Sequence, residues 1–189
     1  MKNTFPQLTL NSARIDTPLG QMIAIADEHK LYFLQFADQT DLQYEIETLQ
    51  KKTKAAVVPG ITAPLRSIEK ELKEYFNGSL KDFTTPMHYL GSPFQTTVWA
   101  TLRKIPFNET RSYAEIAAAI GKPTAYRAVA QANGANKIVI AIPCHRVINS
   151  NGALGGYSCG LERKKWLLEH EKKDVIKCCA VDVQLLITP

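Results

Sequence analysis

Cysteine is scarce in this chain and long apolar runs are missing from it. Four cysteines among 189 residues are too few for a disulfide framework. Cys178 and Cys179 are adjacent, Cys144 and Cys159 have no CxxC partner and the four histidines are scattered, so no metal-ligand spacing emerges and no metal is expected. The longest apolar stretch, Ile138 to Cys144, falls well short of the ~20 residues that a membrane helix needs. Met1 to Leu10 has no apolar signal-peptide core. These absences argue against a disulfide-stapled secreted domain and against a membrane partner, and they predict a cytoplasmic chain with reduced thiols. Repeats and low-complexity tracts are also missing. What is present is ordinary globular composition, 45% hydrophobic and 22% charged. A net charge of +5 favours an anionic partner.

The pattern predicts an α/β (α+β) fold in two parts. Residues 13–37 alternate as strands around the turn Thr17-Pro18-Leu19-Gly20, with Gln21–Ala26 and Leu31–Phe36 joined through Asp27 to Lys30. A polar helix follows at Leu42–Lys52. Another runs from Pro64 or Leu65 to Phe76, with apolar spacing at Leu65, Ile68, Leu72 and Phe76 and a stop at Asn77-Gly78. Residues 79–91 read as a linker. From Ser92 the pattern becomes helical: Ser92 caps a helix with Pro93 in first position, burying Phe94, Val98, Trp99 and Leu102, and Pro106 ends it. The expected division is an N-terminal sheet-and-helix domain over 1–90, a mainly helical domain over 91–175 with a short strand leading to a cysteine, and an extension over 176–189.

Ser112 to Asn133 reads as a helix-turn-helix. Ser112 and Glu115 form a capping box for a helix over Tyr113–Ile120, Gly121-Lys122-Pro123 is the turn, and Thr124 caps the second helix. On that second helix Ala125, Val129 and Ala132 share a buried face, while Arg127, Ala130, Gln131 and Gly134 share the other. The DNA-facing set from this segment is Ser112, Thr124, Arg127, Ala128, Ala130 and Gln131. The minor groove is only ~6 Å wide, so a helix face stripped to Ala and Gly suits it, with Arg127 as the one long side chain able to enter between bases. An Ala-rich core helix with Arg127 in solvent is the competing reading.

Pro143-Cys144-His145-Arg146-Val147 carries the chemistry. The apolar run Ile138–Ile142 reads as a strand that Pro143 stops, which leaves Cys144 at a turn. A thiolate is the nucleophilic form of cysteine, and His145 and Arg146 are candidates for lowering the thiol pKa. A buried, inert cysteine is the competing reading.

The Pro143–Val147 motif, Asn133-Gly134-Ala135-Asn136, Pro93-Phe94-Gln95 to Pro106, Arg111-Ser112-Tyr113, Gly155-Gly156-Tyr157-Ser158 and Trp166 to Glu171 together resemble the O6-alkylguanine-DNA alkyltransferases. The resemblance is dense over residues 91–171 and looser before Tyr89. It implies stoichiometric repair of double-stranded DNA. The base carrying the alkyl group is flipped out, and the group passes irreversibly from O6-alkylguanine, or less readily O4-alkylthymine, to the protein's own cysteine.

By the resemblance Cys144 is the acceptor, His145 deprotonates it through a bound water, and Glu171, near the end of a Leu161–Glu171 helix, orients His145. Tyr113 would protonate the purine, and Arg127 would replace the flipped nucleotide in the stack. Asn136 would brace the turn before the cysteine, with Val147, Tyr157, Ser158 and Cys159 in or beside the pocket. No cofactor is implied, and the protein would act as a stand-alone monomer. A noncatalytic lesion binder and a helix-turn-helix regulator are the alternatives. Cys159 stands where many members have glycine, which puts tolerance for bulky alkyl groups in doubt. A second thiol there predicts reversible peroxide inactivation through a Cys144–Cys159 disulfide; the competing reading is a Cys159 that merely fills space beside Leu161.

Overall fold

In a computed structural model the described residues are 9–184, with side chains described as far as Lys172. Two compact units are present. The first takes in the chain up to Glu74 with Phe83–Leu90 and Lys137–Val139; the second takes in Tyr75–Asp82, Gly91–Asn136 and the chain from Ile140 onward.

The first unit is built on a four-stranded sheet, β1 (Thr9–Thr17), β2 (Gly20–Ala26), β3 (Leu31–Phe36) and β4 (Ala56–Pro59), in the order β3-β2-β1-β4. Thr17 pairs with Gly20 across the expected turn, and Gly20 sits at φ 117°, a conformation open chiefly to glycine. The Asp27 carboxylate accepts the amides of His29 and Lys30 and so closes the β2–β3 connection. β4 was not expected: four residues ending in Pro59 give little periodicity, yet they pair in parallel with Thr9–Ser12. Helix α1 (Leu42–Thr53) covers a core of Leu10, Ile23, Ile25, Phe33, Leu49 and Ala55. Helix α2 (Ala63–Phe76) buries Leu65, Ile68 and Leu72 as its spacing predicts. At its end Tyr75 is fully buried and Phe76 only half, because position 75 also lies on the stripe that starts at Leu65.

The expected linker is not loose. Phe83 and Thr85 are buried, and the Glu71 carboxylate accepts the amides of Thr84 (2.8 Å) and Thr85 (3.0 Å) and the Thr85 hydroxyl (2.7 Å). A buried carboxylate holding these donors fixes residues that composition alone reads as irregular.

In the second unit α3 (Pro93–Leu102) carries the full capping box of Ser92 and Gln95 and buries Val98, Trp99 and Leu102. Phe94 is only half-buried, with the Lys122 ammonium over its ring, and α3 ends at Leu102, before Pro106. Strand β5 (Arg111–Ser112) pairs in parallel with β6 (Val147–Ile148). Helices α4 (Tyr113–Ala119) and α5 (Tyr126–Gly134) form the expected pair, with the Trp99 indole donating to Ala132 O at 2.8 Å. The Ser112–Glu115 capping box is present. Thr124 is not the cap of α5. That place falls to Ala125, without a side-chain bond, and Thr124 lies exposed in the turn.

Two further expectations change. Ile138–Ile142 makes only isolated bridges and not a continuous strand, because Ile140 turns the chain at φ 70°. Such a conformation is costly for a β-branched side chain. Helix α6 runs over Leu161–Gln184, so Glu171 lies inside it and not near its end. The side chains of the expected 176–189 extension lie outside the described residues. No described helix is long and apolar enough to cross a membrane, and the described residues contain no group of three or more His, Cys, Asp or Glu that could hold a metal ion.

Candidate active site

Cys144 opens a short 3-10 turn, Cys144–Arg146, between Pro143 and β6. Its amide donates back to Ile142 O at 2.8 Å, so the thiol does stand at a turn, but it is buried, with 1% of its surface exposed. The Asn136 amide donates to the Cys144 Sγ (3.2 Å) and to Ile142 O (3.0 Å), and the Asn133 amide donates to Cys144 O (3.3 Å). The turn before the thiol is thus held by two fully or nearly fully buried asparagines from the end of α5 and the residues just after it.

His145 and Arg146 both meet Glu171, which has no exposed surface. His145 Nε2 lies 2.8 Å from Glu171 Oε1. An ionised carboxylate only accepts, so the imidazole proton sits on Nε2 and Nδ1 is left as the basic nitrogen. Nδ1 is buried and has no protein partner. Burial lowers the His145 pKa, against the opposing pull of Glu171, and keeps the ring neutral. Arg146 Nε lies 3.0 Å from Glu171 Oε2 and Nη2 lies 3.1 Å from Oε1, while Nη1 donates to Ile105 O at 2.7 Å. Among the described residues, the backbone N–H of Asn108 (2.9 Å) and the Tyr75 hydroxyl (2.8 Å) also donate to this carboxylate. Burial alone would raise the Glu171 pKa, but His145 and the Arg146 guanidinium outweigh it and hold the carboxyl at about 2.

The thiol itself is not acidified. Burial pushes Cys144 up to about 11, against the Asn136 hydrogen bond and the Lys164 charge. This corrects the expectation of a low-pKa thiolate and removes the premise of its ready oxidation. Cys144 and His145 lie together in one 3-10 turn. Lys164 is entirely buried on α6, and its Nζ donates to Val147 O (2.6 Å), Gly156 O (3.2 Å) and Leu154 O. Burial pushes its pKa down to about 8, with Cys144 acting the other way. Its three acceptors tie the loop after β6 to the helix.

Around this centre Val147 is buried, Tyr157 and Tyr113 are half-buried, and Cys159 is buried. Burial raises the pKa of Tyr113, reinforced by Cys144, and raises that of Tyr157 far more, reinforced by Cys144 and Cys159. Gly155 sits at φ 67°, where an added Cβ would come within 3.1 Å of the Tyr113 hydroxyl, so the loop passes close over that residue. Ser158 is exposed, with its Oγ 3.8 Å from Cys159 Sγ.

On α5, Val129 and Ala132 are buried as expected and Ala125 is not fully so. Arg127, Ala128, Gln131 and Gly134 are exposed and Ala130 is half-buried. Arg127 is not the only long side chain there, because Tyr126 is 46% exposed and has the Arg127 guanidinium over its ring at 5.8 Å. Ser112 is buried and its hydroxyl is engaged with Glu115.

Sequence reasoning did not assign Tyr75, Asn133 or Lys164, and it gave Arg146 no partner. One signal was available. Lys164, Leu167, Leu168 and Glu171 recur at helical spacing, which puts both charged residues in phase with core leucines.

Residues 93–173 match the DNA binding domain of 6-O-methylguanine DNA methyltransferase, and residues 12–89 match its ribonuclease-like domain. The constitutive methylated-DNA--protein-cysteine methyltransferase of Bacillus subtilis is 41% identical over 160 residues, covering 83% of this chain and 92% of the relative. The crystal structure of Mycobacterium tuberculosis O6-methylguanine methyltransferase matches with a TM-score of 0.76 at 38% identity, over 88% of this chain and 94% of that one. A structure of the same mycobacterial protein in complex with DNA matches with a TM-score of 0.74, at the same identity and coverage. This chain belongs to the 6-O-methylguanine DNA methyltransferase family.

Proposed function

We propose that this protein repairs alkylated double-stranded DNA by taking the alkyl group of O6-alkylguanine, and less readily of O4-alkylthymine, irreversibly onto Cys144. Each molecule acts once, as a monomer, without a cofactor. The observation that carries this is two buried pairs on one short turn, Asn136 on the Cys144 sulfur and Glu171 on the His145 ring, in a member of a methyltransferase family. The sulfur–carbon bond forms as the bond between alkyl carbon and O6 breaks. The thiol proton passes through a bound water to His145 Nδ1, and Glu171 steadies the imidazolium that results. With the thiol pushed up to about 11, free thiolate is scarce at neutral pH, so the proton leaves as the sulfur attacks. Tyr113 donates its proton to the purine ring, and guanine departs neutral. Ser158 and Tyr157 meet the base in the loop that passes over Tyr113.

DNA binding falls to α5 in the minor groove, with Arg127 filling the stack behind the flipped nucleotide and Thr124, Ala128, Ala130 and Gln131 along the groove. Ser112 contributes by capping the helix that carries Tyr113. Intact-protein mass spectrometry after mixing with duplex DNA that carries O6-methylguanine tests the function: a gain of one methyl group mapped to Cys144 is expected, and unchanged mass defeats it. Arg127→Ala should slow repair of duplex DNA far more than transfer from the free base O6-benzylguanine, which needs no flipping. Equal losses on the two substrates would remove the intercalating role.

A further inference from the structure

We infer that Tyr75 is a positioning residue for alkyl transfer, whose hydroxyl fixes the Glu171 carboxylate and, through it, the proton affinity of His145. The inference rests on the repair reading above and adds a residue to it. Tyr75 lies 96 positions before Glu171 in the chain, at the end of α2 and next to the Asn77-Gly78 stop. Its hydroxyl donates to Glu171 Oε1 at 2.8 Å, and His145 Nε2 meets the same oxygen at 2.8 Å. Any change in the electron density or direction of that oxygen is felt directly by the imidazole.

The surroundings leave the ring little freedom. Tyr75 is fully buried, with Phe76, Phe107 and His170 edge-on to its ring at centroid distances of 5.4, 6.2 and 5.3 Å. His170 Nε2 donates to Tyr75 O at 2.8 Å and stacks on Trp166 at 4.9 Å, so the backbone is held as firmly as the ring. A phenylalanine would satisfy all of this packing. The hydroxyl is what packing does not explain, and a buried hydroxyl is costly unless it is bonded. Here its partner is a carboxylate, and bonds to charged acceptors are the stronger kind.

Among the described residues the charged and donor groups facing Glu171 and His145 are these. Arg146 and His145 come from the 3-10 turn, Tyr75 from α2, the Asn108 amide from the segment after α3, and the Lys164 charge from α6. Of these only Tyr75 can lose its donor without a change of net charge or of ring volume. With the donor gone, Oε1 becomes a stronger acceptor, draws the Nε2 proton more tightly and raises the affinity of Nδ1 for a second proton. His145 would then become protonated, and useless as a base, at a higher pH.

The test compares the full native chain with Tyr75→Phe in single-turnover methyl transfer from O6-methylguanine duplex DNA across pH 5 to 9, alongside lesion-DNA affinity, Tm and an NMR titration of the His145 ring. Carboxylates and other groups that orient a metal-binding histidine from behind are worth about 10- to 100-fold, and a hydrogen bond to the carboxylate behind a catalytic histidine is expected to act at the lower end of that range. The expected result is a fall of about tenfold at neutral pH, an acid limb moved to higher pH, a His145 titration moved the same way, and unchanged DNA affinity. A His145 titration that stays at its native position overturns the assignment, whether or not the rate falls, because a purely structural tyrosine would lower rate or Tm without moving it. Phe76→Leu, which disturbs the same aromatic cluster, should leave that titration in place. If the native chain transfers no methyl group, the repair reading fails, and the NMR titration still decides the role of Tyr75.

Discussion

Cys144→Ser is expected to abolish alkyl transfer and leave affinity for lesion DNA within a few-fold of native. The hydroxyl is close to the thiol in size and can accept the Asn136 amide that Sγ accepts now. Packing and base binding therefore survive. A serine hydroxyl, however, is a far weaker nucleophile than a thiol, and His145 is kept neutral by burial and is a modest base. Mass spectrometry for transfer and a binding titration on the same DNA check the two halves. Transfer at near-native rate, or loss of binding together with transfer, would contradict the assignment of Cys144 as acceptor and nothing more.

Arg146→Met should give the largest loss of stability. Its guanidinium faces both oxygens of a carboxylate that has no exposed surface, and removing one partner of a buried ion pair costs about 3–5 kcal/mol. In a chain of this size that is a fall in Tm of about 6–20 °C. The loss comes from a charge stranded in a medium that solvates it poorly. Combining Arg146→Met with Glu171→Gln should therefore recover much of it, and a double variant no more stable than Arg146→Met would show that guanidinium packing against Phe107 dominates instead. Acid unfolding gives a second readout. A carboxyl held at about 2 contributes stability that is present above its unfolded value of about 4.3 and is lost as pH falls through the folded one. Without Arg146 the folded value rises toward the unfolded one, so less stability is lost between the two and that loss is complete at a higher pH.

Local signals in the sequence were sound where a single element decides the outcome. The Thr17–Gly20 turn, the Ser92 cap, the Ser112 capping box and the buried stripe of Val129 and Ala132 all follow from nearest-neighbour chemistry. Errors arose where distant residues decide. Ile138–Ile142 has the composition of a strand, but it meets β3 through an isolated bridge only, and Ile140 turns away. Residues 83–85 look like a linker until the Glu71 carboxylate collects their donors. The same holds for the site. Cys144, His145 and Glu171 could be named from a family resemblance, whereas the elevated thiol pKa is a property of burial, which one sequence does not state. Spacing puts Tyr75 and Lys164 in phase with buried leucines, but it does not name Glu171, or the Val147, Leu154 and Gly156 carbonyls, as the partners that hold them there.

The Glu171 carboxylate also has a temporal meaning. Its donors lie 96, 63, 26 and 25 residues away along the chain. Contacts between such distant positions close late in folding, because the entropy of the intervening loops opposes them until most of the chain is in place. A nascent or half-folded molecule thus has Cys144 and His145 as neighbours in sequence but not yet the carboxylate that sets the imidazole tautomer. On that ordering the ability to accept an alkyl group is expected to arrive with the final contacts, so that a molecule that can be spent only once would become competent as its folding ends.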